Sequence, residues 1–311
     1  MADAFRAMAC DVRIRLVGLG PDARGALRAA RAVFERVERA CTRFDPASPL
    51  MQANADPDAW HDVPAELYDA LVEAYVAHRV TDGRFDPRVL RTLQALGYDH
   101  SLPFAAGPVT TAAPVQGLSG QRSPWQPQFD DEASAVRLGP QPVDLGGIGK
   151  GLAVRWAAEQ LAGQADSFLV EAGGDCYLGG SGPDADGWRI GVEDPLGGPE
   201  PVAVLRLVDR GVATSSIRLR HWRSGDTPVH HLIDPRTGAP GGAGLLAVTV
   251  VGPDPAAAEV WSKALFLAGA DGIATLARAH DLAALWVDAD SVLTTTGPMD
   301  TVVMWRADDV G

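Results

Sequence analysis

The amino-acid sequence predicts an α+β fold with mixed, mainly antiparallel sheets and packed helices. Two observations carry this expectation. Strand-like runs follow one another without intervening helices, at SFLVEAGG, DCYLGG, WRIGVED and VAVLRLVDRGVATSS, with Gly, Pro or Asp as their punctuation. Helical periodicity is confined to a few separate stretches, so the regular strand–helix alternation of a doubly wound parallel sheet is missing.

In order along the chain, CDVRIRLVG (10–18) alternates Val12, Ile14 and Leu16 with polar neighbours, the period of a half-buried strand. Residues 21–44 place Leu27, Ala30, Phe34, Val37, Cys41 and Phe44 at three-and-four spacing, a long helix. A second helix, 64–80, turns Leu67, Leu71, Ala74, Tyr75 and His78 to the core and stops at Asp82-Gly83. Between 102 and 136 the chain is rich in Pro, Gly and Gln without a sustained period, which reads as a flexible insertion within a single 1–311 domain. Order resumes in VRLGPQPVDLGGIGKGLAVRWAAEQLA, a strand running through a glycine-rich turn into a helix that starts near 149. After the strand runs come LLAVTVVGP, helices at 255–268 and 271–280, and the strands LAALWVDAD, VLTTT and DTVVMWR. No repeat appears at repeat-protein periods.

Composition narrows the functional classes. With 311 residues, 46% hydrophobic and 22% charged, the chain can bury a core, and wholesale disorder is excluded. Its 27 Lys+Arg against 40 Asp+Glu leave a net charge of −13, which repels polyanions, so nucleic acid is not an expected partner. A small phosphorylated ligand escapes that argument, because backbone N–H groups and a divalent cation hold a pyrophosphate even in an acidic protein. Cys10, Cys41 and Cys176 are odd in number and widely spaced, which suits a reducing compartment. No apolar leader core precedes Cys10 and no apolar run has membrane-spanning length, so the expectation is a soluble cytoplasmic protein without a membrane anchor.

Four segments look chemical. In VDLGGIGKGLAV (143–154), Gly146, Gly147, Gly149 and Gly151 permit close backbone approach at a helix N-terminus, where an anion docks, and Asp144 and Lys150 flank the turn. The same glycines equally serve a plain strand-to-helix turn, and the spacing fits neither the dinucleotide fingerprint nor the P-loop. In HHLIDPRTGAP (230–240), His231 precedes two consecutive turns with an imidazole suited to proton transfer, although DPRTG is good turn chemistry in its own right. EAGGDCYLGG (171–180) breaks a strand at Gly173-Gly174 beside Asp175, and TDGRFDP (81–87) is a helix stop carrying an acidic turn residue.

Their order adds what none supplies alone. TDGRFDP, VDLGGIGKG, EAGGD, VATSS, HLIDPRTGAP and a helix containing AEVWSKALFLAG, in that sequence, resemble the FAD:protein FMN transferase family, the ApbE-like flavin transferases. The resemblance implies a T-fold-like α+β architecture. It also implies binding of FAD and transfer of its FMN half to a Thr or Ser hydroxyl of a target flavoprotein, with release of AMP. The positions matching FAD contacts are Met8, Phe44, Arg84, Phe85, Asp86, Asp144, Lys150 and Ile233, with His231 as the catalytic proton acceptor. Met8 and Phe44 suit ring packing, Asp86 and Asp144 accept hydrogen bonds, and Lys150 offsets phosphate charge.

The resemblance further implies a Mg²⁺ held by a backbone carbonyl of the glycine turn, here Gly147, and by Asp and Thr four residues apart on the last long helix. This chain has Glu259 and Lys263 at those two positions. Glu is an acceptable oxygen ligand. An ammonium has three donors and no acceptor, so Lys263 is a doubtful ligand. Three outcomes stay open: Lys263 swings aside and Mg²⁺ binds, the ammonium replaces the metal, or the pair is an ordinary i,i+4 salt bridge. The rival functions are a FAD carrier or sensor without transfer, and a FAD hydrolase giving FMN and AMP.

Overall fold

The computed structural model describes residues 1–112 and 123–307, and their contacts divide them into two units. The first is built from Met1–Glu35, Lys150–Arg218 and the chain from Ala243 onward, the second from Arg36–Gly149 and Leu219–Gly242.

In the first unit, eight strands form one sheet: Ala2–Ala7, Cys10–Leu19, Ala165–Ala172, Asp175–Gly179, Arg210–Ser216, Leu245–Gly252, Ala283–Asp288 and Leu293–Thr295. Each pairs antiparallel with the next in that order. Val12, Ile14 and Leu16 are buried and their polar neighbours exposed, as the alternation demands. Leu245–Gly252 instead reads almost continuously apolar because it is a central strand, buried along most of its length. A second sheet of Trp188–Val192, Ala203–Leu207 and Val303–Arg306 joins it through a core containing Leu178, Trp188, Leu205, Val212, Leu285 and Met299. The helix Pro255–Leu267 packs on the strands Arg210–Ser216 and Leu245–Gly252. Asp254 caps it by accepting the Ala256 N–H at 3.0 Å, with Pro255 at the first helical position.

The run VAVLRLVDRGVATSS is two strands. Asp209, at φ 51°, turns the chain so that Ala203–Leu207 enters the small sheet and Arg210–Ser216 the large one. A hydrophobic run carries no mark of such a change of sheet. The strand Ala2–Ala7 has no equivalent in the sequence reading. It is an edge strand whose burial alternates, but Asp3 stands on its inward side and Ala2 and Ala4 on its outward side, so residue type does not mark the period.

Met8 and Ala9 form the two-residue loop between the first two strands, with φ of 53° and 58°. These are the signs a type I′ hairpin requires, normally supplied by Asn and Gly. Exposed Ala9 therefore carries left-handed strain that glycine would not. Ala9→Gly is expected to stabilise the protein by about 0.5–1 kcal/mol net of glycine's added chain entropy, read as a higher urea midpoint at unchanged slope.

The second unit holds the helices Pro49–Ala55, Ala65–Val80 and Leu90–Ala95 and small sheets around Ala135–Arg137, His221–Ser224 and Ile233–Asp234. Leu93, Leu96, Tyr98, Leu102, Trp222, Val229 and Ile233 form one of its cores. Of the stretch 102–136, residues 113–122 lie outside the described residues. On either side the chain is built in: Thr110–Thr111 pairs parallel with His221–Ser224, and Gln128–Asp130 pairs with Ala135–Arg137. Trp125 is 2% exposed, its indole N–H given to the Leu138 carbonyl at 2.8 Å. Burial of Leu102 and Trp125 outweighs the Pro/Gly-rich composition there.

Candidate active site

The residues singled out by sequence fall into both units, and the chain passes from one to the other within the glycine turn: Gly149 belongs to the second unit and Lys150 to the first.

In the second unit, Asp144 is anchored from three sides. Its N–H bonds to the Pro87 carbonyl at 2.7 Å, one carboxylate oxygen accepts the Gly146 N–H at 2.5 Å, and the other lies 3.0 Å from Arg43 Nε. The Arg43 guanidinium also donates to the Tyr98 carbonyl and sits 4.2 Å from the ring centres of both Phe44 and Tyr98. Phe44 keeps 38% of its surface exposed, a ring presented to solvent and backed by a cation. Tyr98 meets Trp222 at 5.3 Å between ring centres. Trp222 follows the Arg220 segment, whose carbonyl lies 3.2 Å from His231 Nδ1. A continuous chain of contacts thus connects Asp144 and Phe44 with His231.

That carbonyl can only accept, so His231 carries its proton on Nδ1, and Nε2 is the basic nitrogen. Its neighbour His230 is different. The ring Nδ1 accepts the Leu232 N–H at 3.3 Å, and burial pushes its pKa down to about 4. It is a neutral clip. Ile233 is a core residue, and Asp234 is gripped by Arg236 at 2.8 and 3.1 Å. Arg84 lies close enough to help hold the Asp234 carboxyl below its ordinary range, after the larger opposing effect of burial and the favourable Arg236 bonds.

Phe85 and Asp86 are interior. Arg88 takes both Asp86 oxygens, at 3.0 and 2.7 Å, and its backbone N–H a further bond at 2.9 Å. His78 donates from Nδ1 to the Phe85 carbonyl at 3.0 Å and accepts the Trp125 N–H on Nε2 at 3.2 Å; burial lowers its pKa. The Arg84-Phe85-Asp86 turn is therefore held rigidly, with Arg84 as its half-exposed member.

In the first unit, Met8 is half-buried at the hairpin tip, and the Gly173-Gly174 turn sits at the same end of the sheet. Gly173, at φ 57°, has no room for a side chain, since a Cβ would stand 2.9 Å from that of Cys10. Asp175, the next strand's first residue, is 1% exposed and pairs with Lys150. The sequence offered this aspartate only as part of a turn; the tertiary pairing makes it a partner of Lys150. Its second oxygen accepts the Thr214 N–H at 3.3 Å. Lys150 also lies 3.3 Å from Glu259 Oε1, which Lys263 approaches to 3.1 Å, while Glu259 Oε2 accepts the Gly151 N–H at 2.7 Å. Burial alone would raise the Glu259 carboxyl, yet the two ammonium groups and the Gly151 N–H hold it down at about 2.

Gly151 makes this possible. A Cβ there would lie 2.6 Å from Ala256 Cα and 2.8 Å from the Pro255 carbonyl, so the helix Gly149–Leu161 meets Pro255–Leu267 backbone to backbone. Gly151→Ala is expected to cost about 1–3 kcal/mol through overpacking, read by calorimetric Tm.

The Mg²⁺ implied for Gly147, Glu259 and Lys263 does not fit these groups. Magnesium requires about six oxygens near 2.0–2.1 Å. Here both Glu259 oxygens are engaged by cationic or N–H donors, Asp175 is likewise engaged on both, and Lys263 offers no acceptor. Among the described residues no group of three or more His, Cys, Asp or Glu is arranged to hold a metal.

The second unit thus carries an exposed ring backed by a cation, a carboxylate acceptor and an oriented imidazole, and the first carries two ammonium groups over buried carboxylates. The ApbE family model matches residues 8–286, and the chain belongs to that family. A FAD:protein FMN transferase of Haemophilus influenzae is 28% identical over 227 residues, a stretch covering 71% of this chain and 66% of that protein. One of Klebsiella pneumoniae is 27% identical, covering 75% of this chain and 72% of its own length. Among solved structures, an ApbE protein of Thermotoga maritima matches with a TM-score of 0.79 at 25% identity, covering 97% of this chain and 98% of that one. The flavinyl transferase ApbE of Pseudomonas stutzeri gives 0.79 at 22%, covering 99% and 98%. The α+β architecture is that of these ApbE proteins. Among the described residues no helix is long and apolar enough to cross a membrane.

Proposed function

We propose that this chain transfers the FMN half of FAD to a Thr or Ser hydroxyl of a target flavoprotein, releasing AMP. The observation that carries the reading is the fixed tautomer of His231, in a chain of the ApbE family whose relatives are FAD:protein FMN transferases. The acceptor hydroxyl oxygen attacks the phosphorus nearer riboflavin, the bridging P–O bond breaks toward AMP, and the hydroxyl proton passes to His231 Nε2. Phe44 offers a ring for stacking, with Arg43 behind it, and the Asp144 carboxylate accepts ligand N–H or O–H groups. In the first unit, the Lys150 ammonium counters the diphosphate charge. No step is routed through Mg²⁺, because the donor set does not suit it. The protein works where FAD and reduced thiols coexist, as in a cytoplasm.

Incubation with FAD and a candidate acceptor flavoprotein, followed by intact-mass measurement, tests this. A mass gain equal to one FMN phosphoester is expected on the acceptor. The filled Glu259–Lys263 pair favours a second reading, a FAD carrier without transfer, for which FAD would copurify while no acceptor gains mass. AMP released without any acceptor would identify hydrolysis instead.

A further inference from the structure

We propose that Lys150 and Lys263 are this chain's built-in replacement for a divalent cation, so that it binds the pyrophosphate of FAD without metal. The inference rests on the reading of FAD as substrate and adds to it the charge that meets the diphosphate.

The cluster consists of two carboxylates, Asp175 and Glu259, and two ammonium groups, Lys150 and Lys263. Its formal charge is zero before any ligand arrives. Asp175 and Glu259 side chains are 2% and 1% exposed, so their negative charges have no water to solvate them and depend on the lysines. A divalent ion entering on top of the lysines would leave two uncompensated positive charges in the interior. One displacing them would have to push two ammonium groups off buried carboxylates that hold them at 3.1–3.3 Å. Either route opposes metal binding.

The lysines differ from their partners in reach. Their side chains are 14% and 16% exposed, against 1–2% for the carboxylates, so the lysines are the members of the cluster that reach solvent. Lys150 stands in the first turn of the helix Gly149–Leu161, where the Gly151 N–H is already taken by Glu259, so the ammonium groups rather than the helix terminus supply the charge that meets an anion. An arriving diphosphate therefore meets two ammonium groups already paid for in desolvation by the carboxylates beneath them.

The test measures metal and nucleotide separately. Mn²⁺ is titrated into the full chain and bound ion is read by electron paramagnetic resonance, and FAD affinity is measured by calorimetry in EDTA and in Mg²⁺. The wild type is expected to take up no Mn²⁺ at millimolar concentration and to bind FAD equally in both buffers. Lys263→Thr, which removes one ammonium and adds an oxygen, is expected to gain Mn²⁺ binding and to lose about tenfold in FAD affinity in EDTA. Stoichiometric Mn²⁺ on the wild type, or a tenfold weaker FAD affinity in EDTA, overturns the proposal. Should Lys263→Thr fail to fold, the two wild-type measurements still decide it. Absence of FAD binding in every buffer would sink the substrate reading and the phosphate role together, and the Mn²⁺ titration would then report on metal exclusion alone.

Discussion

His231→Ala is expected to reduce FMN transfer by about 10²–10⁴-fold, the usual share of a positioned general base, while FAD affinity stays unchanged. The expectation follows from geometry. Nδ1 is committed to the Arg220 carbonyl at 3.2 Å, which orients the ring and makes Nε2 the proton acceptor. The substitution removes that acceptor and one hydrogen bond on a half-buried loop, and leaves Phe44, Asp144 and Lys150 in place. Single-turnover transfer followed by intact mass, with FAD binding measured in parallel, separates the chemical effect from a binding one. Transfer at the wild-type rate would remove His231 from the reaction.

Glu259→Ala is expected to destabilise the protein by about 3–5 kcal/mol, the cost of breaking a buried pair from one side. The alanine leaves Lys150 and Lys263 without a shared carboxylate and the Gly151 N–H without its acceptor. Chemical denaturation of both proteins at neutral pH checks it, and a loss below 1 kcal/mol would mean that the cluster rearranges at little cost. The pH dependence has a definite sign. Glu259 is held from its ordinary 4.5 down to about 2, so the folded form binds its proton less readily than the unfolded chain. Its contribution is present above about pH 4.5 and is lost as pH falls toward 2.

Acid loss begins earlier, at the interior histidines. His230 is depressed from 6.5 to about 4, and His78 is lowered as well, in both cases chiefly by burial. Below pH 6.5 the unfolded chain gains these protons and the folded one resists them, so stability declines from 6.5 toward 4 before Glu259 enters. In His230→Gln the upper part of this decline is expected to flatten, a comparison made by denaturant midpoints at pH 7 and pH 5.

Local physics was legible in the sequence wherever one neighbour decides it. Val12, Ile14 and Leu16 mark a strand because one face is buried, and the helix expected from 255 begins there, with Asp254 supplying the short-range capping bond. Glu259 and Lys263 are readable as an i,i+4 pair. What required the fold is everything set by distant neighbours. Asp175 meets Lys150 across 25 positions and Arg43 meets Asp144 across a much longer stretch, and no periodicity announces either. His230 and His231 look alike in sequence; their difference lies in which carbonyl or N–H each ring meets.

The large sheet also constrains how the chain is made. The Cys10–Leu19 strand is synthesised before its neighbour on the far side, with Val12 opposite Ala172, and the entire 36–149 stretch lies between them. Until then the N-terminal hairpin waits with one ladder of amide and carbonyl groups open to any passing strand. A chain ending before that partner would keep this ladder unpaired, so the sheet closes around Cys10–Leu19 only once Ala165–Ala172 has been made.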